Sequence, residues 1–327
     1  MPSFDLSWEP LPSGELRAGG LCGGIGASST NVVGMVHTHD GIDWTQRLIA
    51  MRRADAVDAE FDRGVAERLV GLLPAEVAAP VVVDIGSGAG GMSVQLACAL
   101  AARGGGRVVL ADAVDELLSA AVEFTRDVAG SSVQVDAVRV DAADDGLPGV
   151  LPAADLVWAS RVVHHLPDQQ KAIDRLARVL APGGWLALGE GGLASRCLPW
   201  DLGVGAPGLG SRLTAARDVW FERMRAEMPG AVRLPIGWTR ALGVAGLVET
   251  SSFSCVVDHP APPSAAVRES VVDWLAWMSG VGEDDLSESD RLAVQRLLDP
   301  DDEAFVGGRD DIFVLSASTV HLGRRDG

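Results

Sequence analysis

The sequence predicts a doubly wound α/β domain, a mostly parallel sheet with helices on both faces. Between residues 81 and 189, short apolar runs alternate with stretches of helical periodicity. The first run leads into a glycine-rich turn, Asp84-Ile85-Gly86-Ser87-Gly88-Ala89-Gly90-Gly91, and the next two runs each end on an aspartate, Asp112 and Asp141.

The elements follow in order. Over residues 43–73, Trp44, Leu48, Met51, Phe61, Val65, Leu69 and Leu72 recur at three- and four-residue steps, and Pro74 ends the helical region. Strands are expected at 81–83, 108–110, 133–140, 155–159 and 185–189, with helices at 92–101, 115–128 and 169–180 between them. Pro182-Gly183-Gly184 forms the turn into the fifth strand. Beyond Glu190 the rhythm breaks. Residues 191–235 carry Gly and Pro clusters around a helix at 211–227, followed by a helix at 237–246 and a strand at 249–257. Helices at 264–278 and 287–298 and a final strand at 311–322 complete the chain. We read residues 1–76 as a loop and helical cap, and 77–327 as the main domain with insertions at 191–235 and 259–308.

Composition narrows the function classes. The 327 residues are 47% hydrophobic, ordinary for a globular core, and the net charge is −18. That charge repels nucleic-acid phosphates and anionic lipid, and the adjacent basic pairs are confined to Arg52–Arg53 and Arg324–Arg325. Cys22, Cys98, Cys197 and Cys255 are scattered, which argues against a zinc site or a disulfide framework. No basic-then-apolar leader and no long apolar span is evident, so a cytoplasmic location is expected. Gly19 to Gly26 lacks a preceding strand and a following Gly-Lys-Ser/Thr and reads as a loop; His37-Thr38-His39-Asp40 has metal-like spacing without an evident fourth ligand and is read as solvated, so no metal is expected.

In the turn after the first strand, glycines let a ligand approach the backbone, and the helix start offers free N–H groups. Gly86, Gly88 and Gly91 also satisfy the dinucleotide fingerprint, so the turn alone leaves the cofactor open. Asp84 separates the readings. A carboxylate two residues before the first glycine suits an ammonium group and would repel a pyrophosphate. Asp112, followed by Ala113, can accept both ribose hydroxyls whether the cofactor is dinucleotide or not, or can cap the next helix. Asp141, with the Ala142 N–H, suits an adenine edge.

At these residues the chain resembles the class I S-adenosylmethionine (SAM)-dependent methyltransferases of the small-molecule type. Asp84 to Gly90 resembles the family's first motif, Asp112 its ribose-binding acid and Asp141-Ala142 its adenine-binding pair. Residues 154–168, ADLVWASRVVHHLPD, resemble the fourth strand and its turn, and Leu180-Ala181-Pro182-Gly183-Gly184-Trp185 resembles the approach to strand five. The resemblance covers about residues 78–192. It implies a Rossmann-like, seven-stranded sheet, SAM as cofactor, and methyl transfer to an oxygen or nitrogen of a small metabolite, such as a secondary metabolite. A homodimer is a candidate assembly, with neither nucleic acid nor membrane as partner. It implies cofactor contacts from Asp84, Gly86, Ser87, Gly88, Gly90, Asp112, Ala113, Asp141, Ala142 and Ser160. Arg47, on the cap helix, is a candidate for the cofactor carboxylate, against an ordinary solvated role. The competing readings are an NAD-dependent oxidoreductase and a SAM-binding protein that does not methylate.

Methyl transfer is an in-line displacement that needs alignment, and a base only when the nucleophile arrives protonated. His164 and His165 follow strand four, and His164 is preferred as base because His165 adjoins Leu166-Pro167 and suits a turn-fixing role. Arg161 is a candidate for binding an acidic substrate or orienting Glu190. Glu190, at the end of strand five, is a candidate base or amine anchor. Trp158, Trp200, Trp220 and Trp238 are candidates for an aromatic pocket wall.

Overall fold

The computed structural model describes residues 44–327, with side chains from Arg47 onward. The Gly19 to Gly26 segment, Cys22 and the His37 to Asp40 segment lie outside the described residues.

A long helix, α1 (Trp44–Val70), precedes the alternating elements. These are β1 (Val81–Ile85), α2 (Gly91–Ala102), β2 (Gly106–Asp112), α3 (Asp115–Ala129), β3 (Val133–Arg139), the single turn α4 (Leu147–Val150), β4 (Ala154–Ser160), α5 (Gln169–Val179) and β5 (Leu180–Arg196). Then come α6 (Leu209–Glu227), α7 (Trp238–Val244), β6 (Val248–His259), α8 (Ala265–Val281), α9 (Glu288–Leu298) and β7 (Val314–Arg324). The sheet has seven strands in the order β3-β2-β1-β4-β5-β7-β6. All run parallel except β7, which is antiparallel to both neighbours. The predicted sheet and its flanking helices are present.

Side-chain alternation along the strands builds the two faces. Val82, Val108, Leu110 and Leu156 point to one side and pack with Leu69 of α1, Leu96 and Leu100 of α2 and Leu118 of α3. Val83, Val109, Val157, Leu186 and Leu188 point to the other, against Leu147 of α4, Ile173 and Leu176 of α5 and Leu242 of α7. The central strands are therefore apolar on both faces, which is why they read as continuous Val and Leu runs.

β5 is longer than the 185–189 expected, because strand pairing carries through its glycines. Pairing to β4 slips between Leu180 and Trp185, which absorbs the Pro182-Gly183-Gly184 turn. On the other edge β5 continues past Glu190, pairing Gly192 with Ser318 and Leu193 with Ala317. A Cβ at Gly192 would overlap Ala317 O, so β7 can lie this close only to glycine.

A third apolar cluster joins segments distant in the chain: Val57 of α1, Leu209 and Leu213 of α6, Val271 and Leu275 of α8, and Val294 and Leu297 of α9. α8 and α9 start on Ser264 and Ser287, whose hydroxyls accept from Val267 N and Asp290 N. One ion pair ties α6 to α9. Arg212 grips the buried Asp290 through Nε at 2.9 Å and Nη2 at 2.7 Å, with Ser287 Oγ donating to the same carboxylate. No helix among the described residues is long and apolar enough to cross a membrane.

The Arg212 hydrogen bonds hold the Asp290 carboxyl below the usual carboxylate range. A lowered folded pKa gives stability above the ordinary carboxylate range that is lost as pH falls through the folded value. Arg212→Ala should cost about 2–3 kcal/mol at pH 7, since it strands a buried charge. Urea unfolding should show this deficit shrinking below about pH 4; an equal deficit at both pH values would separate the loss from the Asp290 charge.

Candidate active site

The glycine turn sits at the C-terminal end of β1, where a parallel sheet opens toward ligands. Gly86, Gly88 and Gly90 have φ of 67°, 55° and 93°, the left-handed region that glycine adopts without penalty. Neighbours close in on each. A Cβ on Gly86 would overlap Val162 Cγ2, one on Gly88 would lie 2.8 Å from Met51 Cε, and one on Gly90 would lie 3.0 Å from Ala121 Cα.

Of the aspartates named from sequence, Asp84 and Asp112 meet at this turn. Asp84 is buried and accepts from Ser93 Oγ at 2.5 Å. Burial pushes its carboxyl up to about 7; the Ser93 hydrogen bond opposes the rise, and Asp112 and Asp55 add to it. Asp112 accepts from Gly88 N and Val114 N, each at 3.0 Å. It bridges the turn to β2; the N-cap of α3 is Val114. Asp141, beyond β3, accepts from Ala143 N at 2.7 Å, which folds its loop back beside Ala142. Ser87 Oγ is buried without a hydrogen-bond partner. A backbone cradle free of side chains and an orphaned buried hydroxyl fit a ligand on this turn.

Sequence reasoning missed a third contributor, the polar face of α1. Asp55 accepts from Gly91 N at 3.1 Å, at the start of α2. Asp58 pairs with Arg161 at 3.3 Å. Burial raises Asp55 to about 6 and Asp62 to about 7, and the neighbouring aspartates reinforce both shifts. The spacing of Asp55, Asp58 and Asp62 places them on one helix face; that periodicity was available in the sequence beside the apolar stripe. Arg47, one turn before Met51, lies over the Trp277 ring of α8 at 5.9 Å from its centroid.

Beside the turn, β5 delivers Glu190, which is 2% exposed. Its Oε1 accepts from Val163 N at 2.9 Å and from His164 N at 3.4 Å, which fixes the 3-10 turn Val163–His165. Its Oε2 lies 2.7 Å from His164 Nδ1. A carboxylate there holds the proton on Nδ1 and leaves Nε2 as the basic nitrogen. From β7, His321 Nε2 donates to the Glu190 carbonyl at 3.1 Å, and its Nδ1 meets Thr239 Oγ1 at 3.0 Å. Phe221 of α6 lies 5.7 Å from the His164 ring and 6.1 Å from the His165 ring, the two imidazoles being 4.0 Å apart.

Arg161 has φ 57° and turns away from Glu190 to Asp58. The Arg161–Glu190 pairing considered from sequence is replaced by His164–Glu190, because Arg161 N is held to Gly189 O at 3.0 Å while its side chain reaches α1. Ser160 Oγ lies 3.4 Å from Gly189 O. The aromatic wall also differs from expectation. Trp158 is core, Trp238 packs on the second cluster, and Trp200 is 70% exposed, so Phe221 is the ring that faces the histidines. A depression of about 560 Å³ between α1 and α2 is lined by Arg63, Glu67, Cys98 and Arg103 and by none of these residues. Among the described residues no cluster of His, Cys, Asp and Glu is arranged to hold a metal.

A family model described as a methyltransferase domain matches residues 83–186, the segment that holds the turn, Asp112, Asp141 and His164. Over that segment the chain is similar to methyltransferase domains. It is 35% identical over 125 residues to the 27-O-demethylrifamycin SV methyltransferase of Amycolatopsis mediterranei; the match spans 38% of this chain and 43% of that protein. Among solved structures it is similar to YcgJ of Bacillus subtilis, at 18% identity, TM-score 0.43 and coverage of 82% of this chain and 100% of that one. It is also similar to an arsenic(III) SAM methyltransferase of Chlamydomonas reinhardtii, at 17% identity, TM-score 0.41 and coverage of 78% and 67%.

The crowding at Gly86 makes a stability prediction. Gly86→Ala places a side chain at φ 67° against Val162 and should cost about 1–3 kcal/mol. Chemical denaturation with a loss under about 0.5 kcal/mol would show that the turn relaxes freely.

Proposed function

We propose that this chain transfers a methyl group from SAM to a hydroxyl oxygen or amine nitrogen of a small secondary metabolite, with His164 as the base. The observation that carries the reading is the 2.7 Å contact between His164 Nδ1 and the buried Glu190 carboxylate, beside the glycine turn. In support, the rifamycin relative's name describes an oxygen acceptor on a natural product. The net charge of −18 favours a small acceptor over nucleic acid.

The cradle Gly86, Ser87, Gly88 and Gly90 would hold SAM with Asp84 toward its methionine end, Asp112 and Ala113 at its ribose, and Asp141 and Ala142 at its adenine. Bound SAM supplies an electrophilic methyl on a sulfonium. Glu190 acts as a positioning residue: it fixes the tautomer and orientation of His164, which takes the acceptor's proton on Nε2. Phe221 of α6 excludes water from the imidazoles. Residues 44–76, 191–235 and 259–308 serve as cap and lid, with α1 across the cradle. Arg161, tied to Asp58, shapes the mouth of the site.

Titration calorimetry with SAM, S-adenosylhomocysteine and NAD tests the cofactor, and transfer of radiolabelled methyl to extracted metabolites tests the reaction. Binding of NAD with neither sulfur compound would overturn the reading. Asp112→Ala should raise the Kd for SAM about 10- to 100-fold, through loss of a charge-assisted contact and of the Gly88 N tether; unchanged affinity removes the ribose role. His164→Ala should lower kcat by roughly 10²–10⁴ with SAM affinity intact, and Glu190→Gln should fall between it and wild type. Near-normal kcat in His164→Ala would mean that alignment alone suffices.

A further inference from the structure

Among the described residues, the polar face of α1 carries more negative charge than its neighbours balance. Asp55, Asp58 and Asp62 face the glycine turn, β1 presents the buried Asp84, and β2 presents Asp112. The cations among the described residues that act on them are Arg161, from the turn after β4, and Arg52, whose guanidinium also reaches Ala120 O of α3. Among the described residues, the four carboxylates Asp55, Asp58, Asp62 and Asp84 therefore share two guanidiniums. Independently of these charges, Ser87 Oγ, in the turn beneath α1, is more than nine-tenths buried with no partner, as a polar atom reserved for a ligand would be.

SAM and its demethylated product, S-adenosylhomocysteine, share adenine, ribose, ammonium and carboxylate. They differ by the methyl and by one positive charge on sulfur. Hydrogen bonds to the shared parts hold both equally, whereas surplus negative charge favours the sulfonium. We propose that Asp55, Asp58 and Asp62 of α1, together with Asp84, make the site select SAM over S-adenosylhomocysteine, so that loss of the charge on transfer loosens the product. This rests on reading the glycine turn as the SAM site. It adds that α1, outside the segment matched by the family model, sets the ratio of the two affinities.

The same residues give the selection a pH dependence. Burial, reinforced by mutual repulsion, holds Asp62 and Asp84 at about 7 and Asp55 at about 6. A raised carboxylate is neutral below its pKa and charged above it, so preference for SAM grows as pH rises through 6 to 7 and fades as it falls. An added positive charge draws these groups into their ionised form, so SAM should release more protons than S-adenosylhomocysteine in that window. The ammonium common to both ligands cancels in the comparison.

Calorimetric titration of the full chain with each ligand at about pH 5.5, 6.5 and 7.5, in buffers of differing ionisation enthalpy, tests this. The ratio of the product Kd to the SAM Kd should rise about 5- to 10-fold across the series, with excess proton release on SAM binding near pH 6.5. At pH 7.5, Asp62→Asn and Asp58→Asn should each lower the ratio about 3-fold by weakening SAM while leaving the product within about 2-fold. The wild-type series holds the test if a variant fails to fold. A ratio constant with pH, or variants that weaken both ligands equally, would overturn the proposal and leave the SAM site standing. Failure of both ligands to bind at any pH would overturn the SAM-site reading along with it.

Discussion

Absence of side chains along Gly86, Gly88, Gly90 and Gly91 lets four separate elements approach one short stretch of backbone. Val162 fills the place of a Cβ on Gly86, Met51 that on Gly88, Ala121 that on Gly90 and Asp55 that on Gly91. The turn is thus gripped by β4's exit, by α1 twice and by α3, and Asp112 ties it to β2. Its positive φ values follow from the same requirement, since L side chains reach that region at a cost. The turn is a rigid consequence of packing, and its backbone groups are held in place by their neighbours.

A second buried constraint works on the other side of the turn. Glu190 brings a carboxylate into the sheet edge, where an unpartnered charge would be expensive. Val163 N, His164 N and His164 Nδ1 converge on it, so the route of the chain after β4 and the orientation of the imidazole have one cause. His321, kept below its ordinary pKa by burial, holds the Glu190 main chain from β7. The antiparallel seventh strand therefore contributes to the site as well as to the sheet.

Legibility in the sequence followed the range of each interaction. The glycine turn, Asp84, Asp112 and Asp141 were readable because each sits next to its own strand. The starts of α8 and α9 were legible as the points where the helical pattern begins, at 264 and 287. The His164–Glu190 pairing was not, because 26 residues separate the partners and their meeting depends on the register of β5 against β4. Arg161 and Glu190 looked like equal candidates for a pair until α1 supplied Asp58. The length of β5 was hidden by Gly191 and Gly192, which read as a break, whereas Gly192 is a point of close strand approach. The acidic face of α1 was masked by attention to its apolar stripe, although both are written in one periodicity.

The third apolar cluster is knit from residues around positions 57, 197–216, 267–297 and 304–312, on both sides of β6 and ahead of β7. Few of its contacts are local, so closing them carries the entropy of several long loops. The central βαβ units can close early from neighbouring segments, whereas the helices over the histidines must wait for almost the whole chain. Sequence separation accordingly predicts a hierarchical order of folding: the glycine turn lies in the sequence-local half of the molecule, and the third cluster closes only with segments near the last strand.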